Sequence, residues 1–263
     1  MKRLLIALFI PATALVAQKD GVPTSGVDVL ERMRAAYAGK WYHTLTFTQK
    51  TTMYDSTGKP SYQTWYESLR HTGKDGTQLR IDFGEPSAGR GVLYTADSLW
   101  IIRDGKLASQ RGEGNEFLPL IEGVYVQPVE QTVRELKPAG IDMNKVHASA
   151  WQDRPVWVVG SAGPADSTSP QFWVDTDRKV VVRFILSFGA GQPPFDVHLD
   201  NYERTGDGWL ATKIAMFQGG KPRQTEEYSD WKVSVELDPR LFDPATWTTA
   251  RHWRSGAGSG PDE

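Results

Sequence analysis

The five histidines are the side chains of this chain best suited to acid–base or metal chemistry. They are His43, His71, His147, His198 and His252. Successive histidines are 28, 76, 51 and 54 residues apart, so no two have the short spacing that places a pair of imidazoles on one metal ion. A site that folding assembles from distant histidines stays open, but each one is more typical of a surface or hydrogen-bonded polar position.

Two acidic patterns could also carry chemistry. Asp175-Thr176-Asp177 resembles the start of a calcium loop but lacks the glycine and the final glutamate of such a loop, so it favours a hairpin turn. Asp196 and Asp200 share one parity around an apolar run and could form a carboxylate pair. On a half-exposed strand they are more typical of its solvated face.

Composition and motifs exclude several classes of function. The chain has no cysteine, which excludes disulfides, thiolate metal sites, cysteine nucleophiles and an acylated cysteine. No nucleophile elbow, P-loop, dinucleotide fingerprint or zinc-protease motif occurs. A formal charge of −2 over 263 residues argues against nucleic acid as a partner. We therefore predict a binding protein without metal or cofactor; an enzyme with a dispersed site is the alternative.

The first seventeen residues have the pattern of a secretory signal peptide. Lys2 and Arg3 precede the apolar run 4–10, and an A-x-A site follows at 12–14, with a second site at Ala17. The alternative is a membrane anchor, but the run is shorter than the roughly 20 residues that span a bilayer. We predict cleaved export to the periplasm.

The sequence predicts two amphipathic helices. Each has one apolar face, which must pack against the rest of the fold. Ser25 and Asp28 have capping-box spacing, and one apolar face follows at Leu30, Met33 and Tyr37. A second helix should begin near Pro128 and end at Pro138, with one apolar side formed by Val129, Val133 and Leu136.

The remaining chain alternates with a period of two, which predicts strands with one buried face. Leu79, Ile81 and Phe83 alternate with polar residues, and Asp104-Gly105 predicts a type I′ hairpin turn. About eleven such segments joined by short turns predict an antiparallel meander.

Several strands are apolar at both parities, which indicates cover on both sides. The clearest are Val92–Tyr94, Leu99–Ile102, Val156–Val159 and Val180–Phe188. They fit either a curved sheet under helices or a closed barrel around a lipid-sized cavity. We predict that the cavity is lined by Trp100, Ile102, Trp157, Phe184 and Leu186. Alternatively some of them pack outward under the helices, because parity cannot choose the face here.

The order of these features resembles the LolA/LolB-like superfamily of periplasmic outer-membrane lipoprotein carriers and lipoprotein-sorting proteins. The resemblance spans residues 26–247 and is carried by the runs Leu45–Gln49, Gln78–Phe83, Gly91–Trp100, Phe172–Asp175, Val180–Phe188, Trp209–Phe217 and Phe242–Pro244.

The resemblance implies a mainly β fold: an open antiparallel half-barrel of about eleven strands, with two or three helices over its mouth as a lid. It implies an apolar cavity for lipid or lipoprotein acyl chains, and inner- and outer-membrane lipoprotein machinery as partners. Arg80 matches an arginine that ties the lid shut; a strand arginine facing water is the alternative. A sensor or scaffold of the same fold is the alternative to a carrier.

These expectations divide the chain into three parts. Residues 1–17 are the predicted signal peptide, residues 18–253 a single half-barrel domain, and residues 254–263 a flexible tail rich in glycine and serine. The helix near Val129–Leu136 is the better candidate for a moving lid, because Pro128 and Pro138 bracket it.

Overall fold

A computed structural model of the chain describes residues 21–73, 76–187 and 191–256. The predicted signal peptide, Phe188 and tail residues 257–263 lie outside the described residues. The helices are α1 (Gly26–Tyr37), α2 (Leu118–Ile121) and α3 (Val129–Leu136). The strands are β1 (Thr44–Tyr54), β2 (Pro60–His71), β3 (Thr77–Phe83), β4 (Gly91–Tyr94), β5 (Leu99–Arg103), β6 (Lys106–Arg111), β7 (Val146–Trp151), β8 (Arg154–Val159), β9 (Gln171–Asp175), β10 (Val181–Leu186), β11 (Phe195–Thr205), β12 (Gly208–Gln218) and β13 (Lys221–Val233).

All thirteen strands belong to one antiparallel sheet. Its order is β6-β5-β4-β3-β2-β1-β13-β12-β11-β10-β9-β8-β7, so only the β1–β13 pair joins strands that are distant along the chain. Within the described residues the two end strands, β6 and β7, do not pair with each other, and the sheet stays open. The predicted open half-barrel is confirmed. The sheet has thirteen strands where about eleven were predicted, and its end strand β6 is exposed along its whole length.

Short turns connect the strands as their sequences predict. Asp104 and Gly105 both have positive φ, 51° and 72°, which is the type I′ conformation that matches strand twist. Asp175 closes the β9–β10 turn, where its Oδ1 accepts the backbone N–H groups of Asp177 and Arg178, both at 2.9 Å. The acidic run at 175–177 is therefore a hairpin turn.

Helix α1 covers the β8–β10 end of the face that carries the main core, which we call the inner face. The Ser25 hydroxyl accepts the Asp28 N–H at 3.2 Å, and the Asp28 carboxylate accepts the Thr24 N–H at 3.0 Å. Leu30 is fully buried. A Cβ at Gly26 would lie 2.6 Å from the Val159 side chain, so glycine permits the helix to approach the sheet this closely.

Helix α3 packs beside α1 and does not stand alone over the sheet. Pro128 precedes its first turn, and Gly140 ends the following 3₁₀ turn with φ of 68°. Leu136 is buried in the main core. Arg34 of α1 donates from Nε to the Gln127 carbonyl at 2.9 Å, which ties the start of α3 to α1.

Residues 237–254, which we call the C-terminal segment, cover the opposite, outer face of β2–β5. Leu241, Phe242 and Trp247 of this segment form a second apolar cluster with Leu93 and Ile102. None of the helices in the described part of the chain is long and apolar enough to cross a membrane.

Candidate functional site

A cavity of about 370 Å³ lies between the inner face of the sheet and residues 115–122, which we call the cover segment. Its volume falls within the usual range for small-molecule sites. Alternating residues of β1–β4 and β11–β13 supply most of the wall. The apolar wall includes Leu79, Ile81, Val197, Leu199, Leu210 and Ile214.

The cover segment is a single helical turn that lies over the cavity and presents apolar side chains to it. Phe117, Leu118 and Ile121 face the cavity. The Phe117 ring packs edge-on against Phe184 of β10, with ring centroids 5.3 Å apart. The Asn115 side-chain oxygen accepts the N–H of Phe117 at 2.9 Å, so it caps the turn that presents these residues.

Glu122 anchors the end of the cover segment to the connection between α1 and β1. Its carboxylate accepts the Trp41 Nε1–H at 3.0 Å and the Tyr42 hydroxyl at 2.7 Å, and His71 Nε2 lies 3.4 Å away. Burial, and then the Glu122 charge, raise the pKa of Tyr42 well above its usual value, so the hydroxyl remains a donor. The anchor is buried, which makes each of these bonds costly to break.

Two glutamates line the wall opposite the cover segment. Glu67 of β2 and Glu226 of β13 flank β1, are both buried, and face the cavity. Glu226 accepts the Gln224 amide at 2.5 Å and the Tyr228 hydroxyl. Glu67 Oε1 has no hydrogen-bond partner among the described residues. Burial, and then the charges of Glu226 and Asp82, raise the pKa of Glu67 well above its usual value. Burial also raises the pKa of Glu226, although its hydrogen bonds oppose the shift.

Of the five residues predicted to line the cavity, Phe184 lines it. Trp157 is buried at the α1 end of the inner face, where Arg32 of α1 and Lys179 stack on its ring. Leu186 is buried in the main core but does not reach the cavity. Trp157 thus has the alternative position, under a helix, because α1 fills the inner face at β8–β10.

Trp100 and Ile102 lie on the outer face, which corrects their predicted position. Ile102 is 1% exposed and packs with Trp247 of the C-terminal segment, and Trp100 packs against the same cluster. The intervening Ile101 and Leu99 face the inner core. Both faces of β5 are covered, so its sequence is apolar at both parities.

The predicted lid residues do not line the cavity. Val129, Val133 and Leu136 all pack against the main core, and α3 contacts α1 and α2. The structure gives the covering position to residues 115–122, which precede α3 along the chain.

Arg80 neither ties the lid nor faces water. It is 1% exposed on the outer face, where its Nε and Nη2 donate to Asp82 at 2.7 and 2.8 Å. Nη1 and Nη2 also donate to the carbonyls of Leu241 and Trp247 at 3.3 and 3.1 Å, and the guanidinium lies 3.7 Å from the Trp247 ring centroid. Arg80 therefore fixes the C-terminal segment, since these partners belong to that segment.

The acidic candidate residues have structural partners. Asp196 forms a two-bond ion pair with Arg183, at 2.7 Å for each bond, and contacts His198 at 3.0 Å. Asp200 accepts the Gln152 amide at 2.8 Å. Among the described residues no group of three or more histidines or acidic side chains could hold a metal ion.

The sequence analysis missed the polar residues of the cavity. Glu67 has the parity of Trp65 and Leu69, and Glu226 has the parity of Tyr228. A carboxylate on the apolar face of a strand is a detectable signal for a buried acid. Glu122 gave no such signal, because its partners come from distant parts of the chain.

Comparisons with known proteins support the fold. No protein-family model matches the chain, and no curated protein sequence matches it. A crystal structure of a DUF1329 family protein from Desulfovibrio piger is 13% identical with a TM-score of 0.57, over 83% of this chain and 95% of that one.

A second crystal structure is described as an outer membrane lipoprotein-sorting protein domain from Vibrio parahaemolyticus. It is 14% identical with a TM-score of 0.59, over 85% of this chain and 98% of that one. A LolA superfamily protein from Nitrosomonas europaea is 11% identical with a TM-score of 0.47, over 83% of this chain and 97% of that one. The first two likenesses show that the chain has the fold implied by the resemblance, the half-barrel of lipoprotein-sorting domains.

Proposed function

We propose that this protein binds the acyl chains of a lipid or lipoprotein in the cavity under the cover segment, and carries them across an aqueous compartment. The observation that carries the proposal is the cavity of about 370 Å³, which is walled by apolar residues of eight strands and covered by Phe117, Leu118 and Ile121. A carrier of this kind needs no reactive group, only a wall that excludes water from the chain.

The energetics favour an acyl chain over a small polar ligand. Each methylene that leaves water for an apolar wall gains about 0.8 kcal/mol, so a short stretch of chain gives useful affinity. The cover segment is a single helical turn, and its opening would have to break the buried hydrogen bonds of Glu122. Donor and acceptor partners at the inner and outer membranes are part of the proposed carrier role.

A direct test compares binding of a fluorescent fatty acid to wild type and to two variants of β12. Met216 lines the cavity, whereas Gln218, two residues further along the same strand, lies outside it. Met216→Glu places a carboxylate against the chain, and we expect affinity to fall about tenfold or more, because a charge in an apolar wall is costly. Gln218→Glu adds the same charge and should bind as wild type does. The proposal fails if folded wild type binds no fatty acid, or if both variants bind equally well.

The proposed place of action is the periplasm. Lys2, Arg3 and the apolar run after them support export, and the carrier role needs an aqueous space beside membranes. Mass spectrometry of the protein from an osmotic-shock fraction should find a mature N-terminus near Leu15 or Gln18. Intact Met1 in the membrane pellet would contradict export.

A further inference from the structure

The polar part of the cavity is strongly one-sided. Three glutamates, Glu67, Glu122 and Glu226, line it, and no lysine, arginine or histidine is among the described residues of its wall. An apolar cavity for a neutral chain needs no charged side chain, and burying carboxylates without cations is unfavourable. The acidic side chains therefore require an explanation beyond acyl binding.

The three carboxyl groups differ in how well they are satisfied. Glu122 has the donors of Trp41 and Tyr42, and Glu226 has the donors of Gln224 and Tyr228. Glu67 is 3% exposed, and its Oε1 has no partner in the described part of the chain. A buried acceptor without a hydrogen-bond partner costs the folded protein free energy. A ligand that donates a hydrogen bond to it would remove that cost.

The position of Glu67 suits the polar end of an amphiphile. Glu67 pairs with Phe47 on one side of β1, and Glu226 pairs with Thr51 on the other side. Trp65 and Leu69 flank Glu67 on the same face of β2, whereas Gln224 and Tyr228 flank Glu226 on β13. A chain lying along the wall would therefore bring its head group to a site that offers acceptors and few donors.

We propose that the cavity selects amphiphiles whose polar end is a primary ammonium, and that Glu67 is its principal acceptor, with Glu226 on the other side of β1 as a further acidic group. An ammonium has three donors and a positive charge, which match an unpartnered carboxylate oxygen in a wall without cations. A bound ammonium would favour the ionised form of these residues, whereas a carboxylate or phosphate head group would disfavour it. The inference rests on the proposed function, since it concerns the ligand of the same cavity.

Binding of three ligands with one chain length separates the two proposals. We expect dodecylamine to displace a fluorescent fatty acid at roughly tenfold lower concentration than dodecanol or dodecanoic acid, as a charge-assisted hydrogen bond predicts. If none of the three displaces the probe, the proposed function fails. If all three bind equally, or the acid binds most tightly, acyl binding stands and the ammonium site is overturned.

Glu67→Gln tests the residue itself. The variant keeps the shape of the side chain and cannot ionise, so we expect dodecylamine to lose about tenfold in affinity while dodecanol binds unchanged. Glu227→Gln removes the same charge from an exposed position of β13 and should change neither. If Glu67→Gln does not fold, Glu226→Gln takes its place in the test. We expect this variant also to lose affinity for dodecylamine, but by a smaller factor. Unchanged preference for the amine in both folded cavity variants would overturn the assignment.

The ammonium could belong to an ethanolamine phospholipid or to the free amino terminus of a diacylated peptide. Lysophosphatidylethanolamine adds a phosphate that no cationic residue of the described wall would neutralise, so we expect the lipopeptide to bind more tightly. Tighter binding of the phospholipid would support the ammonium site but would identify the phospholipid, not the lipopeptide, as the ligand that supplies the ammonium. If N-acetylation leaves the affinity of both ligands unchanged, the ammonium site is overturned.

Discussion

Arg80 holds the C-terminal segment on the sheet through charge and hydrogen bonds. Burial raises the pKa of Asp82, but the hydrogen bonds from Arg80 and His252 outweigh it and keep that pKa below its usual value. The pair is buried on the outer face. Removing only the arginine would therefore leave an ionised carboxylate without its main partner.

We predict that Arg80→Leu lowers the free energy of unfolding by about 3–5 kcal/mol, as for other broken buried pairs. Urea unfolding measures the loss, and Arg103→Leu at an exposed position of β5 is the control. The double variant Arg80→Leu/Asp82→Leu should recover much of the loss. Acyl affinity of the folded fraction should stay unchanged; a large change in affinity without loss of stability would instead support a role at the cavity.

Glu67 makes stability depend on pH in a direction that its burial fixes. Its folded pKa lies well above the ordinary 4.5, because burial disfavours the charged form. Between these two pKa values the folded protein holds a proton that the unfolded chain has lost. The contribution to stability is therefore complete below pH 4.5 and is lost as pH rises through the folded pKa.

We predict that Glu67→Gln becomes progressively more stable than wild type as pH rises from about 4.5. Urea unfolding of both proteins across the pH range measures the difference, and Glu227→Gln should run parallel to wild type. Glu226 remains in the variant and its pKa is also raised, so part of the dependence of stability on pH will remain. A constant difference between Glu67→Gln and wild type would contradict the raised pKa.

The cover segment and α3 differ in how they are held. Phe117 and Ile121 contact the cavity directly, whereas Leu136 is buried in the core and Arg34 joins α3 to α1. An element that must admit a ligand belongs to the less stable part of a fold. We therefore expect residues 115–122 to open more easily than α3.

Hydrogen exchange with and without a bound fatty acid tests this expectation. In the free protein residues 117–137 should exchange faster than strand residues 180–186. Added ligand should slow exchange most at residues 115–122 and less at α3. If a ligand that demonstrably binds protects only α3, the cover assignment is wrong.

Alternation along a strand predicts a face only when one parity is polar. Leu79, Ile81 and Phe83 alternate with polar residues, and all three line the cavity. Trp100 and Ile102 sit in a strand that is apolar at both parities, so their face depended on the C-terminal segment, which is distant along the chain. Local patterns thus predicted the sheet, its turns and both longer helices, but not the outer cover.

The polar contacts of the site depend on long-range pairing. The parity of Glu67 with Trp65 and Leu69 makes a buried carboxylate predictable from β2 alone. That Glu226 faces the same cavity follows only from the β1–β13 pairing, which joins the first and last strands along the chain. Likewise no local pattern brings Trp41 and Tyr42 to Glu122.

The whole molecule divides the two faces of one open sheet between different tasks. The outer face of β2–β5 is sealed by the C-terminal segment, and the inner face near β8–β10 is filled by α1. The remaining inner face keeps the cavity. The outer cover and the cavity therefore rest on separate contacts, which allows the outer cover to be changed without altering the cavity wall.

Photo-crosslinking with a fatty acid that carries a diazirine at the end of its chain tests the central claim most directly. Peptide mass spectrometry after irradiation should find the label on cavity-facing residues of β1–β4 and β11–β13 and on the cover segment. Met216→Glu should reduce this labelling, and Gln218→Glu should not. Labelling confined to the outer face around Leu93 and Ile102, or spread evenly over exposed residues, would contradict an acyl-binding cavity.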